Sequence, residues 1–181
     1  MKKLIVLTVL ISLFFSLGTS VMAAEEVNLY TNRHYDTDEE ILDRFTEETG
    51  IEVNVLKGDS DQLIERIARE GENTPADLLI TADAGRLHRA KTRGILQSVK
   101  TETLAQNVPA NLKDEDNYWY GLTMRGRVIV YSKERVKSSD LAGYADLTSD
   151  KWEDEILIRS SANIYNQSLL ASLVSIYGED W

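Results

Sequence analysis

The alternation of extended and helical patterns over the first hundred residues restricts this chain more than any other feature. Val27-Asn28-Leu29-Tyr30-Thr31 reads as a strand. The next segment sets Ile41, Leu42 and Phe45 on one helical face, can be capped by Asp36 or Thr37, and stops at Gly50. Ile51-Glu52-Val53-Asn54-Val55 then alternates apolar and polar residues at period two, as a half-buried strand does. Strand, helix and strand in that order form a βαβ unit, a parallel pair joined by a crossover.

The pattern repeats. Ser60 is placed to cap a helix carrying Leu63, Ile64 and Ile67, closed by Gly71, and Asp77-Leu78-Leu79-Ile80-Thr81 follows as a strand of buried type. A helix over 84–93 ends at Gly94 and leads into a further expected strand, Ile95-Leu96-Gln97-Ser98-Val99. The implied class is doubly wound α/β. After Pro109 the character changes, because Tyr118-Trp119-Tyr120-Gly121-Leu122-Thr123 and Arg127-Val128-Ile129-Val130-Tyr131 are extended runs with no helix between them. Such runs suit strands that cross between lobes. Ile156-Leu157-Ile158-Arg159 reads as another strand, followed by a Ser-rich turn and a helix with Leu169, Leu170, Leu173 and Val174. The division that results is a first lobe over 24–124, a crossing or hinge strand over 125–131, and the start of a second lobe over 132–181. The chain stops at Gly178-Glu179-Asp180-Trp181 directly after an amphipathic pattern, so that second lobe is expected to be incomplete and marginally stable.

Residues 1–23 have the composition of a secretory signal peptide. Lys2 and Lys3 make a charged start, Leu4 to Leu17 an apolar stretch, and Val21-Met22-Ala23 a small-residue cleavage site. Ser12, Ser16 and Gly18 interrupt the apolar run, and Glu25 and Glu26 follow it, which favours cleavage over stable membrane insertion. The absence of cysteine excludes disulfides, thiolate metal sites and a lipid-modified cysteine. With a formal net charge of −10 the chain is a poor partner for nucleic acid or an anionic membrane surface. A freely soluble periplasmic protein fits these features.

The residues that carry chemistry cluster after strands. Arg33, His34 and Tyr35 follow the first strand, at the carboxyl end where open α/β sheets bind ligands. Imidazole and phenolate are ligands for a hard, highly charged metal, so metal capture is the leading hypothesis. Ser160 to Ser168, containing Tyr165, has the same placement after a strand and at a helix start, where backbone N–H groups favour an anion. Arg33 and Arg125 are candidate cations for an anionic partner, whereas Arg127 reads as a surface charge. A Tyr in a loop or a lone His is more often packed or solvated than ligating. No Gly-x-Ser-x-Gly elbow, phosphate loop, dinucleotide fingerprint or His-Glu-x-x-His is present, so an enzyme is not expected.

Taken together, Arg33-His34-Tyr35-Asp36-Thr37-Asp38, Phe45-Thr46-Glu47-Glu48-Thr49-Gly50-Ile51, Thr74-Pro75-Ala76-Asp77, Arg125-Gly126-Arg127-Val128-Ile129 and Arg159 to Ser168 give the chain a family resemblance. It resembles the periplasmic ferric-ion-binding proteins of ABC transporters, in their tyrosine-rich branch. The resemblance implies a periplasmic-binding-protein-like fold of two α/β lobes with the ion between them. It implies Tyr35 and Tyr165 as Fe(III)-binding phenolates, His34 as an additional ligand, and Arg125 and Arg33 as residues that balance charge or hold carbonate or another synergistic anion. It also implies a monomer that delivers ferric ion to an inner-membrane permease. Members of that branch supply two further consecutive tyrosines later in the second lobe, and no Tyr-Tyr pair occurs here. Two rival readings are a periplasmic binding module for an organic or inorganic anion without metal, and a secreted metal-dependent hydrolase using His34 and nearby acids.

Overall fold

The computed structural model describes residues 25–179; the signal-peptide segment lies outside the described residues. Its order is β1 (Glu26–Thr31), α1 (Asp36–Thr49), β2 (Glu52–Lys57), α2 (Ser60–Glu70), β3 (Leu78–Ile80), α3 (Ala84–Thr92), α4 (Glu102–Asn107) and α5 (Ile164–Tyr177), with short 3-10 turns between. The three strands form one parallel sheet in the order β2-β1-β3. All six residues of β1 pair with β2, from Glu26 opposite Glu52 to Thr31 opposite Lys57, while Leu29 to Thr31 pair with Leu78 to Ile80 on the other side. The α/β class read from the alternation is the class observed.

The central strand supplies the core. Leu29, Tyr30 and Thr31 are buried, and the Tyr30 ring packs with Leu63 and Ile67 of α2, against Leu56, Ala76, Leu79 and Ile95. Ile64 is 1% exposed. The helical period of Leu63, Ile64 and Ile67 is thus the face of α2 that meets the sheet. The caps differ from expectation by one residue. Asp59, not Ser60, starts α2, its Oδ1 accepting from the N–H groups of Asp61 and Gln62 at 2.9 and 3.2 Å. Ser60 is instead buried, and its Oγ accepts from Thr81 at 2.6 Å. Tyr35 takes the cap position of α1 without a side-chain cap bond, and Gly50 ends that helix with φ +75°.

Four expected strands carry no strand assignment: 95–99, 118–123, 127–131 and 156–159. A strand needs a neighbouring edge to fill its ladder, and among the described residues none of these runs has one beyond an isolated bridge, Lys113 opposite Tyr120. The 113–120 loop is organised by charge instead. Lys91 reaches both Asp114 carboxylate oxygens and Asp116 at 2.9 Å, and its ammonium lies 5.0 Å from the centre of the Tyr118 ring. Burial pushes the Asp114 carboxyl up, but Lys91 and the N–H groups of Tyr118 and Asp116 outweigh it and hold the group below the ordinary carboxylate range. α5 buries none of its residues fully; Leu169, Leu173 and Val174 are half-buried and Leu170 is 60% exposed.

Candidate functional site

The strand order 2-1-3 sets the carboxyl ends of the parallel strands β1 and β3 side by side, the place where open α/β sheets bind ligands in a crevice. The loop after β1 carries Asn32 to Tyr35, and the loop after β3 carries Thr81 to Asp83. Arg33 is fixed by Asp38 in the first turn of α1: Nε donates to Oδ2 at 2.9 Å and Nη2 to Oδ1 at 2.6 Å. This two-pronged bond holds the Asp38 carboxyl below its usual range. The Arg33 guanidinium also lies 5.1 Å from the centre of the Tyr35 ring, and the His34 and Tyr35 rings stack at 5.1 Å and 21°. Three consecutive side chains are therefore organised around one exposed phenol.

The second phenol comes from the start of α5. Asn163 caps that helix, its Oδ1 accepting from the Tyr165 N–H at 3.0 Å. The side-chain amide of Asn166 donates to the carbonyls of Arg159 and Ser160, and that of Gln167 to Ser161 at 3.1 Å. These bonds fold the 159–161 loop back on the helix and so set both Arg159 and Tyr165. The backbone N–H groups at the helix start, where an anion is expected, are engaged by Asn163: that of Tyr165 by its side chain, and those of Asn166 and Gln167 by its carbonyl.

Arg125 joins the two phenols. Its Nη1 donates to the Tyr165 hydroxyl at 2.5 Å and its Nη2 to the Tyr35 hydroxyl at 3.3 Å. One guanidinium thereby brings together hydroxyls whose residues are far apart in sequence. Arg127 and Arg159 lie over the Tyr165 ring, at 4.5 and 5.7 Å from its centre, with Arg125 at 5.4 Å. Arg127 is exposed, as a surface charge is expected to be, yet its guanidinium lies over the Tyr165 ring. His34 stands beside Tyr35, with Nδ1 3.5 Å from the Asn32 carbonyl.

One residue at the crevice, Asp83, gave no chemical signal in the sequence. Asp83 has φ +82°, unusual for a non-glycine residue; its Oδ1 caps α3 by accepting from Gly85 N–H at 2.9 Å, and its Oδ2 accepts from the Ser168 hydroxyl at 2.6 Å. The only hint was an Asp before Ala84-Gly85 at a strand end, where a helix cap is expected. Among the described residues no three His, Cys, Asp or Glu side chains come together. The donors this crevice offers a hard cation are therefore phenol oxygens with one imidazole nearby, surrounded by guanidinium groups.

Comparison with known proteins follows the same line. The profile of the family described as bacterial extracellular solute-binding protein matches residues 73–180. The chain is 51% identical over 156 residues to iron uptake protein A1 of Synechocystis sp., covering 86% of this chain and 43% of that relative. It is 26% identical to the major ferric iron-binding protein of Neisseria meningitidis, covering 91% of this chain and 50% of that one. Among solved structures, a Trichodesmium protein in complex with iron and citrate ligands superposes with a TM-score of 0.80 at 52% identity, over 84% of this chain and 48% of its own. The ferric binding protein from Campylobacter jejuni gives 0.79 at 39% identity, over 85% and 49%. The chain spans about half the length, or less, of these relatives.

Proposed function

The chain belongs to the bacterial extracellular solute-binding proteins, and from that membership we propose that its cargo is ferric ion, captured in the periplasm and passed to the inner-membrane permease of an ABC transporter. In this reading it binds and does not turn over, and it acts as a monomer after loss of residues 1–23. Residues 24–124 and 132–181 belong to two lobes, and 125–131 is the hinge between them. Tyr35 and Tyr165 are the ligands, His34 is an additional one, and Arg125 and Arg33 hold an accompanying anion such as carbonate. No helix among the described residues is long and apolar enough to cross a membrane.

The observation that carries this reading is the pair of Arg125 bonds to the Tyr35 and Tyr165 hydroxyls. Fe(III) is a hard ion that prefers oxygen donors, and phenol oxygens supply them once their protons leave. Capture therefore releases protons and weakens as pH falls. While the phenols are protonated, Arg125 donates to both and keeps them together. When an ion takes those oxygens, the guanidinium faces a cation, and an anion placed between them removes the repulsion. The same group thus gathers the empty site and anchors the anion of the filled one.

The test is a ferric titration of the chain, followed in the visible spectrum for tyrosinate-to-iron charge transfer and repeated with Tyr35→Phe and Tyr165→Phe. A saturable coloured complex weakened by each substitution is the expected result, and colour that survives both substitutions rejects these ligands. The second reading, an anion module without metal, is favoured by Arg125, Arg127 and Arg159, which make no ion pair among the described residues. It predicts anion binding without iron that persists in both Phe variants.

A further inference from the structure

Among the described residues Arg127 and Arg159 have no carboxylate partner, in a chain that has 30 Asp and Glu against 20 Lys and Arg. Arg33, Arg44, Arg66, Arg86, Arg89 and Arg93 each pair with an acid, whereas Arg69, Arg125 and Arg135 make no ion pair among the described residues. Among the described residues the guanidiniums of Arg127 and Arg159 make no hydrogen bond or ion pair, and each lies over the same group, the ring of Tyr165. They reach it from different directions in the chain. Arg127 follows Arg125 on the 125–131 segment, and Arg159 precedes Tyr165 on the loop that Asn166 ties to α5. The face of an aromatic ring is electron-rich and attracts a guanidinium within about 6 Å. With the ring so engaged, the hydroxyl is left to Arg125 alone.

We propose that Arg127 and Arg159 are positioning residues for Tyr165, clamping its ring by cation–π contact so that its hydroxyl stays aimed at the place shared with Tyr35. The clamp belongs to the ligand-free chain. Its effect on metal capture rests on the ferric reading above. There it has an electronic signature: positive charge over a coordinated tyrosinate lowers the energy of its ring electrons, so the ring-to-iron charge-transfer band lies at shorter wavelength than it would without the guanidiniums.

The experiment has two arms on the full chain. In the first, NMR of ligand-free protein labelled with ring-13C tyrosine identifies the Tyr165 signals by their loss in Tyr165→Phe, then compares Arg127→Gln, Arg159→Gln and the double variant. The Tyr165 signals are expected to move in each and most in the double variant, and to return toward the wild-type position in Arg127→Lys. Tyr30, whose ring lies under Arg66 in the core, should keep its signals and so report an intact fold. Tyr165 signals that stay in place in the double variant, with Tyr30 unchanged, overturn the clamp. In the second arm, ferric titration of the double variant should show affinity weakened roughly three- to tenfold and the band moved to longer wavelength. A coloured complex with unchanged band and affinity rejects the clamp while leaving the ferric reading intact. If the wild type forms no coloured complex, the ferric reading fails and the NMR arm still decides the clamp.

Discussion

Two runs of similar strand-forming composition meet opposite fates. Val27-Asn28-Leu29-Tyr30-Thr31 lies in the central strand, with Leu29 at 3% exposure. Arg127-Val128-Ile129-Val130-Tyr131 has no ladder among the described residues, and Val130 is 87% exposed. Leu157, in a third run of the same kind, is fully exposed. β1 has β2 along its whole length on one side and β3 on the other, so its backbone groups are satisfied and its side chains meet α2. The difference shows that β-branched and aromatic content makes a run competent for pairing, while a neighbouring edge makes it a strand.

That contrast can be broken most forcefully in the paired half. Ile64→Ala should lower stability by about 2–5 kcal/mol, read from denaturant unfolding, because Ile64 is the most deeply buried large side chain of α2. A loss of a few tenths would mean that the sheet and α2 are not the core. A smaller effect with a pH signature is expected at the loop that charge organises. The Asp114 carboxyl is held below its ordinary range, so its contribution to stability is complete above that range. It is lost as the pH falls through the range toward the depressed value. Lys91→Met removes the cation that helps to depress it, so this variant should be less stable than wild type at neutral pH, with the gap narrowing on acidification. Denaturation midpoints at neutral and acid pH decide this, and a gap that does not change with pH would assign the loss to packing. The smallest effect belongs to the unpaired run: Val130→Ser should change stability by no more than about 0.5 kcal/mol. A clearly larger loss by the same denaturant measurement would mean that this run is covered in solution, and the contrast would have to be redrawn.

How much was legible follows from the range of each interaction. The α1 and α2 patterns were readable because an apolar stripe is a property of neighbouring residues, and the pairing of β1 with β2 because a helix-length connection demands a parallel partner. Tyr35 and Tyr165 were readable from their positions after strand-like runs and from the motifs around them. The contact of Arg127 with the Tyr165 ring was not foreseen and Arg159 was not singled out, because nothing in a local segment tells an arginine whether its partner is a carboxylate or a ring. Asp83 escaped because its positive φ and its bond to Ser168 follow from how the chain meets itself.

Composition and periodicity in this chain determined the α/β class, the acidic and cysteine-free character, the order of the first three strands along the chain and the two tyrosine segments, since each is written in residues close together in sequence. Only the tertiary structure decided which competent runs become strands and which guanidinium reaches which phenol. A ladder needs a second edge, and the Arg125 bonds join residues 40 and 90 positions apart. Contacts of that separation exist only after the chain has closed on itself.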